Sequence, residues 1–485
     1  MADSAQNSRD AAGRQYGEYD LIVVSNRLPV DHTVDEDGQG EWRRSPGGLV
    51  TALAPVMAKT EGAWVGWPGV PDEEMDPFDH DNMHLVPVAL SADDVELYYE
   101  GFSNATLWPL YHDVIASPEF HRAWWECYKT VNRRFAEATA EIAAEGATVW
   151  VQDYQLQLVP KLLREARPDL RIGFFNHIPF PPLEIFAQLP WRRQVIDGLL
   201  GADLLGFQRP SDTSNFLRCV RRFSGFNVRQ QQVQVETNDG GVRLCRAGAF
   251  PISIDVERIS ELAHRPDVIA RSEQIRQELG NPETVVLGVD RLDYTKGIGH
   301  RIKAYGELLE DGKLAVENSV LIQVASPSRE RVESYRLLRE EIEGAVGRIN
   351  GTFDTLENTA IRYLHHSYPV EEMVALYLTA DVMLVTALRD GMNLVAKEYV
   401  ASRKAADGAL VLSEFAGAAD QLKQAILVNP HDIDGLKEAI LRAVNMPRPE
   451  ANRRMRAMRR QILQNDVEHW SRAFLRALEH AGTRD

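Results

Sequence analysis

Near-continuous apolar runs of strand length recur along the chain: DLIVVS from Asp20, ATVWVQ from Ala147, LRIGFFN from Leu170 and ADLLGFQ from Ala202. A second set follows with ETVVLGV from Glu283, SVLIQVA from Ser319, ADVMLVT from Ala380 and GALVLS from Gly408. Polar or amphipathic stretches of helical length separate them. Strands without polar alternation are buried on both faces, as in parallel sheets covered by helices. Two such sets predict an α/β fold of two doubly wound, Rossmann-like domains. The joint is expected near Asp255, where GAFPISIDVERI follows the hairpin-like VQVETNDGGVRLC with its Asn-Asp-Gly-Gly turn signal. The expected organisation is a mobile tail over 1–18, domains over 19–255 and 256–466, and a terminal helix over 467–485. Val467, Trp470, Phe474, Leu475 and Leu478 give that helix one apolar face, which can dock on either domain, the N-terminal one included. The Arg-rich stretch before it, 446–460, reads as a solvated helix face.

Polar residues collect just after the apolar runs, where strands end. Asn26 and Arg27 follow the first run, Asp153 the second, His177 the third, and Asp290, Arg291 and then Lys296 open the second set. SPSR ends in Arg329, and LRDGMNLVAKE carries Arg389, Asp390 and Glu398. In doubly wound sheets the carboxyl ends of strands line a ligand crevice, and two domains set mouth to mouth would enclose these residues together. A helix is expected to open near Asn393, its free N–H groups offering an anion site. Glu398, one turn in, would reach back toward a ribose diol. The cations divide between the two halves, so the crevice has charge for more than one phosphate group. SPGGLV places Gly47 and Gly48 where a backbone can approach a phosphate or sugar closely. His177 sits in NHIPFPP, whose prolines stiffen a loop rather than build a core.

Composition then removes alternatives. A chain of 485 residues exceeds one ordinary core, and 44% hydrophobic with 26% charged residues is globular composition. The formal net charge of -17 excludes a general nucleic-acid binder. Cys127, Cys219 and Cys245 are scattered without a CxxC or Cys/His spacing, which fits reduced thiols in a cytoplasmic protein and neither a disulfide framework nor a zinc site. No apolar run is long enough to span a bilayer, and the polar first residues lack a signal core. GxGxxG after a strand, GxxxxGK[ST], HExxH and GxSxG are all missing.

VSNRLP, SPGGL, YYEGFSNATLWP, NHIPFPP, GVDRLDYTKG, GRINGTF and LRDGMNLVAKEYVA, seven motifs in order between about Tyr19 and Arg476, resemble the trehalose-6-phosphate synthases, retaining glycosyltransferases of GT-B architecture. The resemblance implies transfer of glucose from a nucleoside diphosphate glucose (UDP-glucose, with ADP- or GDP-glucose as alternatives) to glucose 6-phosphate. Arg291 and Lys296 would hold the donor diphosphate and Glu398 the ribose. Asp390, His177 and the backbone at Gly391, Met392 and Asn393 would hold the donor glucose. Gly47, Gly48, Tyr368 and the helix start at Leu394, Val395 and Ala396 would complete the donor site. Arg27, Tyr99, Asp153 and Arg329 match positions that grip glucose 6-phosphate, and Trp108 and Ile178 those that govern the anomeric junction.

No essential metal is expected, since no Asp-x-Asp pair sits in a loop near these cleft residues and Arg291 with Lys296 can do a metal's electrostatic work. No cofactor and no nucleic-acid or membrane partner is expected, and the chain is expected to be a homo-oligomer, dimer or tetramer. Two positions depart from the family: QDYQL at Gln152–Leu156 replaces HDYHL, and HHSYP at 365–369 lacks the usual terminal Phe-Arg. Front-face transfer, with Arg291 and Lys296 stabilising the leaving diphosphate, fits better than double displacement, because Asp153 and Asp390 already have binding duties. The rival readings are a transferase with another acceptor, such as sucrose-phosphate or glycogen-type synthases, and a sugar-phosphate sensor that has lost its chemistry. Arg27 with Arg329 argues against a polymer acceptor, and an intact leaving-group clamp against the sensor.

Overall fold

The structure, a computed structural model, describes residues 17–34, 40–45, 50, 53, 57, 60, 62–237, 240–403, 405 and 407–481. The expected tail therefore lies outside the described residues except for its last two, and so do Gly47 and Gly48.

Each set of apolar runs becomes a sheet. In the first, strands run in the order Asn227–Arg229, Gln232–Glu236, Val242–Ala249, Leu204–Phe207, Arg171–Phe175, Ala143–Gln152, Tyr19–Arg27, Ala63–Trp67, Met83–Pro87, Phe78–His80. The middle of this sheet is parallel and its two margins close with antiparallel pairs. The second sheet is parallel throughout, in the order Ile361–Leu364, Ser319–Ser326, Thr284–Arg291, Val382–Val385, Ala409–Ser413, Ile426–Val428. Ile22, Val23 and Val24 in the first sheet and Val285, Val286 and Leu287 in the second are fully buried. Burial of both faces explains their unbroken apolar sequence, each such side chain contributing about 1.5–3 kcal/mol.

Contacts divide the chain into one unit of 1–251 with 470–485 and another of 252–469. The terminal helix Val467–Glu479 thus has most of its length in the first unit. Phe474 stacks on Trp150 at 4.6 Å and 7° and meets Phe175 edge-on, while Trp470 lies 5.1 Å from both rings. Two glycines make room for it: a Cβ on Gly173 would fall 2.8 Å from Phe474 and Leu478, and one on Gly206 2.7 Å from Phe474. In the second unit the Arg-rich stretch forms helix Arg448–Gln464, which buries Ala451, Met455, Met458 and Ile462 and exposes Arg453, Arg456 and Arg460. Among the described residues no helix is long and apolar enough to cross a membrane.

Candidate active site

In the first unit the polar residues sit at strand ends, as their positions in the sequence predict. Arg27 closes strand Tyr19–Arg27, and its guanidinium lies 5.0 Å from the Trp67 ring and 2.6 Å from the Asp31 carboxylate. Gly69 brings backbone so close to that guanidinium that a Cβ there would sit 2.1 Å from it. Asp153 follows strand Ala143–Gln152 with φ of 73°, outside the usual range for a side-chain-bearing residue. Its Oδ1 accepts the His177 backbone N–H at 3.0 Å, and its own N–H donates to Phe175 O at 2.7 Å, so the two neighbouring strand ends are tied together. Tyr99 is half-buried on the wide helical segment Val95–Leu107, and Trp108 is buried at its end. Ile178 is buried, and its carbonyl accepts from Asn176 at 2.5 Å.

His177 links several of these. Its Nε2 is 2.9 Å from Gln152 Oε1, and its ring lies 4.6 Å from Phe175 and 6.1 Å from Trp470. Gln152, one of the two departures from the family motif, is thus a direct partner of a candidate catalytic side chain, which its sequence position did not reveal. Burial pushes the His177 imidazole down to about 3, so it is neutral near pH 7. Between pH 6.5 and 3 the unfolded chain binds a proton that the folded chain does not, so stability falls as pH drops, by up to about 1.4 kcal/mol per pH unit from this group. Urea unfolding across that window is expected to show a shallower fall for His177→Gln.

The second unit gathers a denser cluster. Strand Thr284–Arg291 ends at Arg291, and the short helical turn Tyr294–Lys296 follows. Lys296 Nζ is 2.6 Å from Asp390 Oδ2, and both side chains are largely buried. Asp390 also receives Asn393 Nδ2 at 3.2 Å and the Met392 N–H at 3.3 Å. Asn393, with φ of 77°, caps helix Leu394–Ser402 by accepting the Ala396 N–H at 3.1 Å. The helix thus presents its positive end beside the Lys296–Asp390 pair. Glu398 accepts the Tyr377 hydroxyl at 2.8 Å, and burial raises its carboxyl above the usual range.

Three of the four charges of LRDGMNLVAKE therefore have these bonds: Asp390 to Lys296, Glu398 to Tyr377, and the fully buried Lys397 to Ile252 O at 2.6 Å. Tyr368 is half-buried and lines a cavity of about 380 Å³ with Arg271, Glu372 and Leu376. Arg329 belongs to this unit. It packs over the Tyr335 ring, bonds the Tyr335 hydroxyl and lies 3.5 Å from Asp293. Burial alone would raise Asp293, but Arg329, Arg291 and Lys296, with the Thr295 N–H, hold it down to about 2.

Two features of this cluster were not anticipated from sequence. Asp293 is a fully buried anion around which the cations are arranged. Arg301, 0% exposed on helix Ile298–Glu310, bonds Asp290 at 2.7 Å, Thr386 at 2.8 Å and the Lys296 carbonyl at 3.0 Å. Its signal was present but faint, a charge on the same face as Ile298, Ile302 and Tyr305.

The loop 390–393 is held from behind by Gly417, whose N–H donates to Asp390 O at 3.1 Å, and by the Ala418 N–H on Met392 O at 2.7 Å. A Cβ on Gly417 would lie 2.0 Å from the Gly391 carbonyl oxygen. Gly417→Ala must push that loop away. We expect KM for the donor to rise roughly ten-fold, from a clash of about 1–3 kcal/mol, with far less change in KM for the acceptor, as initial rates would show.

Strand-end cations, a helix N-terminus and a carboxylate one turn inside that helix, on a parallel sheet, make an anion-binding type of site within an α/β architecture. The profile of glycosyltransferase family 20 matches residues 19–480. A trehalose-6-phosphate synthase of Mycobacterium sp. (strain JLS) is 59% identical over 95% of this chain and 96% of its own. An alpha,alpha-trehalose-phosphate synthase (UDP-forming) from Burkholderia xenovorans, solved in complex with glucose-6-phosphate, is 36% identical with a TM-score of 0.86, covering 95% of this chain and 99% of its own. An E. coli structure bound with UDP-2-fluoro glucose gives 35% identity and a TM-score of 0.86 over 95% of this chain and 98% of its own. The chain belongs to glycosyltransferase family 20, and its architecture is GT-B.

Proposed function

We propose that the chain transfers glucose from a nucleoside diphosphate glucose to glucose 6-phosphate, releasing nucleoside diphosphate and α,α-trehalose 6-phosphate with retention at the anomeric carbon. The observation that carries this reading is the Lys296–Asp390 pair at the N-terminus of helix Leu394–Ser402, with Arg291 on the preceding strand end and Glu398 one turn inside. The relatives solved with UDP-2-fluoro glucose and with glucose-6-phosphate support both substrates. UDP-glucose is the proposed donor, with ADP- and GDP-glucose as alternatives.

In this account Asp390 and the N–H groups after it hold the donor glucose, helped by neutral His177. Glu398 takes the ribose hydroxyls, and the backbone at Tyr368 and over 394–396 completes the donor site, as Gly47 and Gly48 do by resemblance. Lys296 has three N–H donors, so its bond to Asp390 leaves two for the diphosphate. Arg27, Tyr99 and Asp153 on the first unit and Arg329 on the second bind glucose 6-phosphate, while Trp108 and Ile178 shape the sugar junction.

The bond from C1 to the diphosphate oxygen breaks with its electron pair leaving on the phosphate. The acceptor's anomeric hydroxyl attacks C1 on that same face, and the departing phosphate oxygen takes its proton. Arg291 and Lys296 stabilise the charge that grows on the leaving group. Both substrates are intracellular phosphate esters and the described cysteines are free thiols, which supports a cytoplasmic location. The dimer or tetramer rests on the family resemblance.

The test is release of nucleoside diphosphate from UDP-, ADP- and GDP-glucose, each with and without glucose 6-phosphate. Release that requires glucose 6-phosphate is expected. Binding of the sugar phosphate without release from any donor would make the chain a sensor.

A further inference from the structure

A pocket of about 530 Å³ in the first unit contains none of the residues assigned to substrate. Helix Pro210–Phe223 supplies Arg218 and Arg221, one helical turn apart and so on one face, and strand Val242–Ala249 supplies Arg246. Gln230 and Gln231, in the turn of the adjoining hairpin, add amide groups, and Phe250 closes one side. No Asp or Glu lines it, and among the described residues none of these three arginine side chains makes an ion pair or hydrogen bond. Three exposed guanidiniums on one concavity repel each other, and folding gains nothing from collecting them there. In a chain of net charge -17, an unneutralised cationic hollow needs an anion to explain it. Its volume lies within the range of small-molecule sites.

We propose that this pocket binds a small phosphorylated metabolite, its phosphate held by Arg218, Arg221 and Arg246, and that occupancy is felt at His177. The path for the second part is physical. The Phe250 carbonyl accepts the Trp470 indole N–H at 3.1 Å, and the Phe250 ring meets Phe474 at 5.3 Å. Trp470 in turn lies against His177, whose ring bonds Gln152. A ligand that shifts Phe250 must move the aromatic group that packs His177. This coupling rests on the role proposed for His177, whereas the binding does not.

Calorimetry on the full chain, with glucose 6-phosphate and nucleoside diphosphate saturating, separates the two parts. Titration with inorganic phosphate, and separately with pyrophosphate, is expected to show one saturable event that weakens with added salt. Affinity should fall at least about ten-fold in Arg218→Gln and in Arg246→Gln. Arg246→Gln should keep the turnover of the unchanged chain without added phosphate and lose the shift in kcat that phosphate produces at saturating substrates. No saturable binding of either probe up to about 10 mM, or equal affinity in both variants, overturns the site. So does sedimentation showing that Arg246→Gln separates copies of the chain, since the arginines would then serve an interface. Binding with no effect on kcat overturns the coupling alone.

Discussion

Lys296→Ala is expected to lower kcat by roughly 10²–10³ while leaving KM for glucose 6-phosphate within a few-fold of the unchanged enzyme. The reasoning starts from position. Lys296 ends a short turn anchored by Asp293, whose carboxylate accepts the Thr295 N–H at 2.9 Å, and its ammonium sits 2.6 Å from Asp390. A largely buried cation already fixed by the protein need not reorganise when the leaving diphosphate gains charge, so its effect falls on the transition state rather than on substrate binding. Removal also leaves Asp390 without this counter-charge where the donor glucose is proposed to bind. Steady-state rates in both substrates check the split. Near-normal kcat in Lys296→Ala would remove Lys296 from the leaving-group role.

Arg301→Met is expected to cost about 3–5 kcal/mol of stability, read as a lowered urea midpoint. Arg301 and Asp290 are a buried pair, and Asp290 is already pushed up to about 6 by burial despite Arg301 and Lys296 beside it. Loss of the guanidinium strands that carboxylate, which must take up a proton. It also strands Thr386 and the Lys296 carbonyl, both of which accept from Arg301. Because the penalty comes from an uncompensated partner, replacing Asp290 by Leu in the same chain should recover much of the loss. A double variant no more stable than Arg301→Met would show that the bonds to Thr386 and Lys296 carry the energy instead.

The long buried strands were legible because parallel sheet demands unbroken apolar sequence, and each run quoted from the chain overlaps an observed strand. Some strands at or near sheet margins were not, although the hairpin of Gln232–Glu236 and Val242–Ala249 was readable from VQVETNDGGVRLC. Ile361–Leu364 alternates with an exposed Arg362, and Ile426–Val428 is three residues long with an exposed Leu427, so neither has the pattern of a two-faced core. Ala63–Trp67 is fully buried, yet its Trp and Gly hide it among turn-like residues.

At the candidate site, strand-end placement was readable for Arg27, Asp153, His177, Arg291 and Asp390, because topology fixes where a strand stops. Pair identities were not readable. Lys296 with Asp390 spans 94 positions and Arg301 with Thr386 spans 85, distances over which no local periodicity reports a contact. Gln152 was noted as a departure, but only the structure shows its amide on His177.

The most direct test of the account is proton NMR of the product formed from UDP-glucose and glucose 6-phosphate. Two α-configured anomeric signals with no reducing end are predicted, as retention at C1 and a 1,1 linkage require. A β-configured signal, a reducing-end anomer pair, or free glucose in place of a disaccharide phosphate would contradict it.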